Sequence, residues 1–402
     1  MSDFNAVIAN TCVNVWHKFE GKGSLRFLEK SSRTVFAGIV LRDDSETPPK
    51  FHCISIGSGT KCLPQSRLTE EGDALHDSHA EVLARRGAVR WLIEEWSRLS
   101  DQSPSGSLTK WLIRAPSGLV ALKDSVSMHL YVSSIPCGDA SMLALALDQD
   151  PTVAALKDSG SRSDVQEGTA VRGRDNYFAF GALRTKPGRA DSMPSISMSC
   201  SDKILKWALL GIQGAVASLR FQPMYLSSII ISGVPVGNRN TAVGECERAF
   251  SPYRRLQRRM FAPSTVLRVS DSSSAFDSAW KFEPFAYHRV EIGFTDVEFP
   301  ASRGDRFCNE SIAWNAHGQL EILVNGRTQG SLGASKRRKL PTLSRAAIRS
   351  LLGEYNWVIT REGMRYNATK QSSSAYQAAR AQLMASGGPL EGWIVTQEDR
   401  KI

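Results

Sequence analysis

Three short segments of this chain carry residue types that can do chemistry together: His79-Ala80-Glu81, Pro136-Cys137-Gly138-Asp139-Ala140 and Ser199-Cys200-Ser201-Asp202-Lys203. One histidine and two cysteines can bind a single zinc ion and leave its fourth position open to water. A glutamate two residues past the histidine can carry protons without itself binding the metal. Hydrolytic deamination of a nucleobase is the chemistry such a set performs. Taken singly, each residue also has a plain structural reading. A histidine before a helix can be a cap, and a free cysteine is often a small core residue. Glu81 could serve only as a capping-box carboxylate.

The surrounding pattern predicts elements that deliver these residues to one place. Ser78 followed by Glu81 three residues on reads as the start of a helix running to about Arg98, with Val82, Leu83, Val89, Leu92, Ile93 and Trp96 at helical spacing. His79 and Glu81 then fall in its first turn, where the positive end of the helix dipole favours a carboxylate. Met128 to Ile135 reads as a strand that delivers Cys137 into the turn before a short helix from Asp139 to Leu147. Asp202 to Leu219 reads as a second strong helix with Cys200 just before it. Helices packed side by side on a sheet can bring three such termini to one point. The first 75 residues read as strand-rich, with strands at Arg33 to Leu41 and Phe51 to Ile56 and a turn at Gly57-Ser58-Gly59. Ser228 to Val234 reads as a buried strand, and Gln319 to Val324 followed by Asn325-Gly326 as a hairpin. Pro341 to Leu352 and Ser372 to Ser386 read as helices.

Composition bounds the function classes. The 402 residues, 42% of them hydrophobic, can build a substantial core, and a formal charge of +10 favours a polyanionic partner. No apolar run approaches the about twenty residues of a membrane span, and the start Met1-Ser2-Asp3-Phe4 lacks signal-peptide character. A cytoplasmic or nuclear protein is expected, neither secreted nor in a membrane. Seven scattered cysteines do not suggest a disulfide framework. The polar stretch from about Asp148 to Asp175 reads as a surface insertion and Ser270 to Ser278 as a loop, so residues 1–402 are expected to form a single domain.

The third ligand departs from the common Pro-Cys-x-x-Cys arrangement, because position 140 is alanine and the second thiolate must come from Cys200. At that departure the chain resembles the editase-type adenosine deaminases that act on RNA, through His-Ala-Glu, Pro-Cys-Gly-Asp-Ala, Arg184-Thr185-Lys186 and Met198-Ser199-Cys200-Ser201-Asp202-Lys203. The likeness continues through Trp207 and Gly211-Ile212-Gln213-Gly214, and returns at Tyr376-Gln377-Ala378-Ala379-Arg380 and Gly392-Trp393. Within the family it is similar to the tRNA-specific branch: the deaminase fold fills the chain, without room for double-stranded-RNA-binding domains, and Ser141 stands where the messenger-RNA editors carry arginine.

The resemblance implies a cytidine-deaminase-like fold, a three-layer α/β/α arrangement with a central mixed sheet and an added C-terminal helical region. It implies zinc held by His79, Cys137 and Cys200, with Glu81 as the proton carrier for attack of water on C6 of adenine, giving inosine and ammonia. It also implies one buried inositol hexakisphosphate. The matching residues are Arg85, Arg86, Lys203, Lys206, Trp207, Gln213, Tyr366, Lys370, Tyr376, Arg380 and Trp393, the C-terminal ones at offsets of zero, four, ten and fourteen from Tyr366 up to Arg380. Six phosphates need many cationic donors, and buried cations need an anion between them. Asp77, Lys186 and Lys203 match a polar relay between cofactor and zinc. Two positions depart from the family pattern, His76 for asparagine and Ala215 for serine.

For RNA, Thr60 and Lys61 match a family segment near the target nucleotide, contacting ribose and phosphate. Arg254-Arg255 with Arg258-Arg259, and Lys336-Arg337-Arg338-Lys339, are candidate phosphate contacts or solvated charge, and the latter equally a nuclear-import signal. The expected activity is adenosine-to-inosine conversion in a tRNA, which the resemblance places just 3′ of the anticodon of alanine tRNA, with no obligate protein partner evident. An adenosine deaminase of messenger or other duplex RNA, and a non-catalytic RNA- or inositol-phosphate-binding protein, are the alternatives.

Overall fold

A computed structural model describes residues 3–19, 32–100, 109–148, 150, 169–177, 179–187, 192–260, 281–330, 339–357 and 366–395. Most of the expected insertion and the whole serine-rich loop lie outside these. The chain forms two compact units, interleaved in sequence: residues 1–134, 212–233 and 293–373 make one, and residues 135–211, 234–292 and 374–402 the other.

The first unit is built on a mixed sheet. Its strands are β1 (Phe36–Asp43), β2 (Lys50–Ser58), β5 (Val126–Val132), β6 (Ser228–Ile231), β8 (Glu310–Asn315), β9 (Glu321–Val324) and β10 (Arg327–Thr328). A small ribbon, β3 (Thr60–Cys62) with β4 (Asp77–His79), precedes β5, and β7 (Glu291–Phe294) starts at the unit boundary. The sheet order is β7-β6-β5-β1-β2-β8-β9-β10. Strands β6 and β5 run parallel, whereas β1 is antiparallel to both β5 and β2. Apolar residues on both faces of β1 fit a sheet covered on both sides. Alternation decides which helix each face meets. A Cβ at Gly38 would meet Cys12 of α1 (Phe4–His17), and one at the neighbouring register, Gly57, would meet Leu83 of α2 (Ala80–Ser100). Both glycines allow a helix to approach the sheet backbone closely.

Helix α1 is an addition to the strand-rich beginning expected from the sequence. Val7, Ile8, Val13 and Val15 are β-branched, but the Asp3 side chain caps Asn5 N, and Ile8, Cys12, Val13, Val15 and Trp16 are buried against Phe36, Val40, Ile56 and Tyr131. Strand β2 runs on through Gly57 and Ser58, so the expected turn there is shifted to Gly59. The Asn325-Gly326 turn is found as expected, with φ of 50° and 72° between β9 and β10.

The second unit contains α3 (Met142–Leu147), α4 (Cys200–Leu210), α5 (Arg239–Phe250) and α6 (Pro252–Met260), with a last helix at Ser374–Met384. The helix expected to run from Asp202 to Leu219 instead starts at Cys200, because Ser199 is the cap, and stops at Leu210, because Gly211 takes φ of 72°. In the first unit the C-terminal segment forms helices at Arg345–Glu354 and Tyr366–Gln371, the latter not expected from the pattern. Among the described residues, no helix is long and apolar enough to cross a membrane.

Candidate active site

The first unit contributes His79 and Glu81. Strand β4 pairs antiparallel with β3, so that Thr60 stands opposite His79 and Lys61 opposite Ser78. Ser78 is therefore a strand residue and not the cap of α2, and His79 closes the strand immediately before the helix. The turn that brings β3 here needs Gly59, at φ of 144°, where a Cβ would collide with the Ser78 carbonyl and the Ser311 hydroxyl. Gly59 O then accepts from Ala80 N at 3.1 Å, and the Asp77 carboxylate accepts from His79 N at 3.0 Å. Glu81 lies in the first turn of α2 and is 2% exposed. Thr60 is half-buried and Lys61 exposed.

The second unit contributes both cysteines, and its backbone ties them together. Cys137 O accepts from Ser201 N at 2.9 Å and from Ser201 Oγ at 3.0 Å, while Cys200 N donates to Cys137 Sγ at 3.4 Å. Cys200 is the first residue of α4, where free helical amides favour a thiolate over a thiol. The buried Lys186 Nζ donates to Cys200 Sγ at 3.2 Å, which adds a cation beside that sulfur. Among the described residues, His79, Cys137 and Cys200 are the group that could hold a metal ion, one imidazole and two thiols, a donor set that suits zinc in type and softness.

Sequence reasoning passed over the residues that hold this arrangement. Asp139 and Asp202 are completely buried, and each stands two positions after a cysteine. Asp202 accepts from Ser199 Oγ at 2.6 Å and Arg184 N at 2.9 Å; Asp139 accepts from Gly181 N at 2.9 Å and pairs with Arg248. Burial alone would raise the Asp139 carboxyl, but Arg248 and Arg255 hold it below the usual range. Arg184 is buried among the carbonyls of Gly173, Asp175, Asn176 and Ala179. The doubled Cys-x-Asp spacing was the signal in the sequence.

One expected RNA contact is corrected. Arg255 is fully buried and pairs with Asp202 at 2.7 Å, because the turn of α6 points it inward; it is no phosphate contact on the surface. Arg254 faces Glu247 at 2.8 Å. The side chains of Arg258 and Arg259, and residues 336–338, lie outside the described residues, and Lys339 is exposed.

The candidate cofactor residues fall into two groups, one in each unit. In the first, Arg85 Nε donates to Ile212 O and Arg86 Nε to Leu343 O, both side chains half-buried. Burial, then Arg345, Arg86 and Lys370 acting across the site, push His76 down to about 3, so that cations from three helices gather on one neutral imidazole. Gln213 is buried, accepting from Met224 N and donating to Ser218 Oγ. The side chain of Tyr366 lies outside the described residues. In the second unit Lys206 Nζ sits 4.7 Å from the Trp393 ring, Tyr376 packs edge-on against Phe285, and Trp207 is buried beside half-buried Lys203 on α4. Arg380 donates to Gln377 at 3.4 Å.

The sequence profile of the adenosine-deaminase (editase) domain matches residues 55–397, most of the chain and every element of this site. The chain belongs to the adenosine-deaminase (editase) family. It is an enzyme that deaminates adenosine. It is 27% identical to the tRNA-specific adenosine deaminase 1 of Schizosaccharomyces pombe over 98% of this chain and 96% of that protein. It is 35% identical to the Saccharomyces cerevisiae protein of the same description over 49% of this chain and 50% of that one. Against the double-stranded RNA-specific adenosine deaminase of Mus musculus it is 24% identical over 92% of this chain but only 30% of the relative.

Proposed function

We propose that this editase converts adenosine to inosine in tRNA, at the adenosine 3′ of the anticodon of alanine tRNA, as one zinc-dependent deaminase domain of layered α/β/α architecture. The observation that supports the tRNA assignment is the match to the fission-yeast tRNA deaminase over 98% of this chain and 96% of that protein. An anticodon-loop adenine also costs less to extrude than a paired one.

His79, Cys137 and Cys200 would hold the zinc, which when bound supplies the Lewis acidity that makes water a nucleophile at neutral pH. Glu81, buried at the start of α2, takes a proton from the attacking water and returns protons to N1 and the departing amine of the base. Lys186 keeps the Cys200 sulfur anionic by donating to it. Thr60, across the ribbon from His79, and Lys61 beside it meet the ribose and phosphate of the extruded nucleotide.

Incubation of the purified enzyme with total tRNA, followed by sequencing, should give A-to-G reads at one position beside the anticodon of alanine tRNA. Conversion confined to long duplex RNA would instead assign the substrate of the messenger-RNA branch.

The second group of residues fits a polyanion. Burial and the charges of Arg345, Arg86 and Lys370 outweigh that of Asp77 and keep the half-buried His76 neutral, an excess of positive charge that favours an anion beside it. Arg85, Arg86, Lys370 and Gln213 in the first unit, and Lys203, Lys206, Trp207, Tyr376, Arg380 and Trp393 in the second, with Tyr366, would hold inositol hexakisphosphate, which supplies folding energy and no bond chemistry. Acid extraction of the folded, active protein should release about one such molecule per chain, the ratio that the family resemblance implies. Extracts free of inositol phosphate would refute the assignment.

A further inference from the structure

The Arg254-Arg255 motif, which reads in the sequence as a surface contact, is divided by the structure. Arg255 is completely buried with its guanidinium between two carboxylates, Asp202 at 2.7 Å and Asp139 at 3.8 Å. Those carboxylates are themselves completely buried, and each lies two residues beyond a zinc-ligand cysteine, Asp139 after Cys137 and Asp202 after Cys200. Each carboxylate also has backbone or hydroxyl donors. Asp202 closes the Ser199 cap of α4, and Asp139 takes the Gly181 amide. Arg248 pairs with Asp139 and Glu245 but not with Asp202, so among the described residues Arg255 is the cation paired with both aspartates.

We infer that Arg255 is a positioning residue for the two thiolates: it clamps the Cys137 and Cys200 loops through Asp139 and Asp202 and so sets the sulfur spacing that the metal needs. The inference rests on the zinc-deaminase reading above and assigns to it a residue outside the ligand motifs. Without the guanidinium, Asp139 keeps Arg248 but Asp202 loses its paired cation, and the link between the two carboxylates is gone while the bonds of Ser201 to the Cys137 loop remain. Groups that orient metal ligands from behind typically govern affinity by about ten- to a hundredfold. Both contacts are made by the outermost guanidinium nitrogen, Nη2; a lysine at 255 keeps the charge, but its chain is one bond shorter and does not carry an ammonium to that point.

The test uses the full-length protein and its Arg255→Lys variant. Zinc affinity is measured by competition with a chromogenic chelator, and the cobalt(II)-substituted forms are compared by visible absorption. The inference expects an unchanged circular dichroism spectrum, zinc affinity at least about tenfold weaker, altered cobalt ligand-field and thiolate charge-transfer bands, and a lower kcat with KM for RNA unchanged. Wild-type affinity and an unchanged cobalt spectrum in the variant would overturn it; a raised KM at constant kcat would return Arg255 to the RNA. Should Arg255→Lys fail to fold, the charge-balanced pair Arg255→Met with Asp202→Asn gives the same reading, and wild-type affinity there overturns the clamp. A wild-type protein that binds neither zinc nor cobalt would overturn the zinc-deaminase reading itself, and the clamp with it.

Discussion

Substituting Glu81 with alanine should lower the deamination rate by about 10²- to 10⁴-fold, the range that a positioned general acid and base supplies, while zinc content by atomic emission stays at the wild-type value. The separation of the two readouts follows from position. His79 ends strand β4, where its backbone is fixed by Asp77 and the Thr60 pairing, whereas Glu81 belongs to the first turn of α2. Removing the carboxylate therefore leaves the ligand geometry in place and takes away the proton carrier. Glu81→Gln should be as inactive as the alanine variant, because an amide of the same shape accepts no proton. Activity retained in either variant would remove Glu81 from the mechanism. Zinc lost along with activity would make it a structural carboxylate of the helix start.

The site was legible in the sequence where its information is local. His-x-Glu ahead of a helical period, Pro-Cys after an apolar run and Ser-Cys ahead of a second helix each announce themselves within a few residues. Ser199 illustrates the limit of local reading. Its hydroxyl caps α4 by accepting from Asp202 N at 3.2 Å, so Cys200 enters the helix as its first residue, where the pattern of apolar side chains alone starts the helix two residues later. Helix α1 was missed for the opposite reason: its β-branched residues favour a strand, and burial of Ile8, Cys12 and Trp16 against the sheet outweighs that preference. Arg255 lay beyond reach altogether. A run of arginines normally faces water, and only the folded chain reveals two buried carboxylates from distant segments converging on one of them.

Gly138 should be the least replaceable residue between the two thiolates. It has φ of 104°, a conformation unfavourable for a side chain, and a Cβ there would overlap the Ser199 hydroxyl and Cβ. Ser199 has no freedom to retreat: its hydroxyl donates to Asp202 at 2.6 Å and its amide to Arg184 O at 2.7 Å. The added methyl must instead push the Cys137 loop away from the start of α4, against the hydrogen bonds from Ser201 to Cys137 O. Gly138→Ala is thus expected to cost about 3 kcal/mol or more, the sum of backbone strain and overpacking, and to weaken zinc binding by about a hundredfold. Gly118→Ala separates the two contributions, because Gly118 also has positive φ, 79°, yet a Cβ there meets nothing within 4 Å. It should lose only the strain, about 1 kcal/mol by chemical denaturation, and none of its zinc. Equal losses of stability in the two variants, with zinc retained in both, would mean that the Cys137 and Cys200 loops yield to each other, and that their close approach is not what sets the spacing of the thiolates.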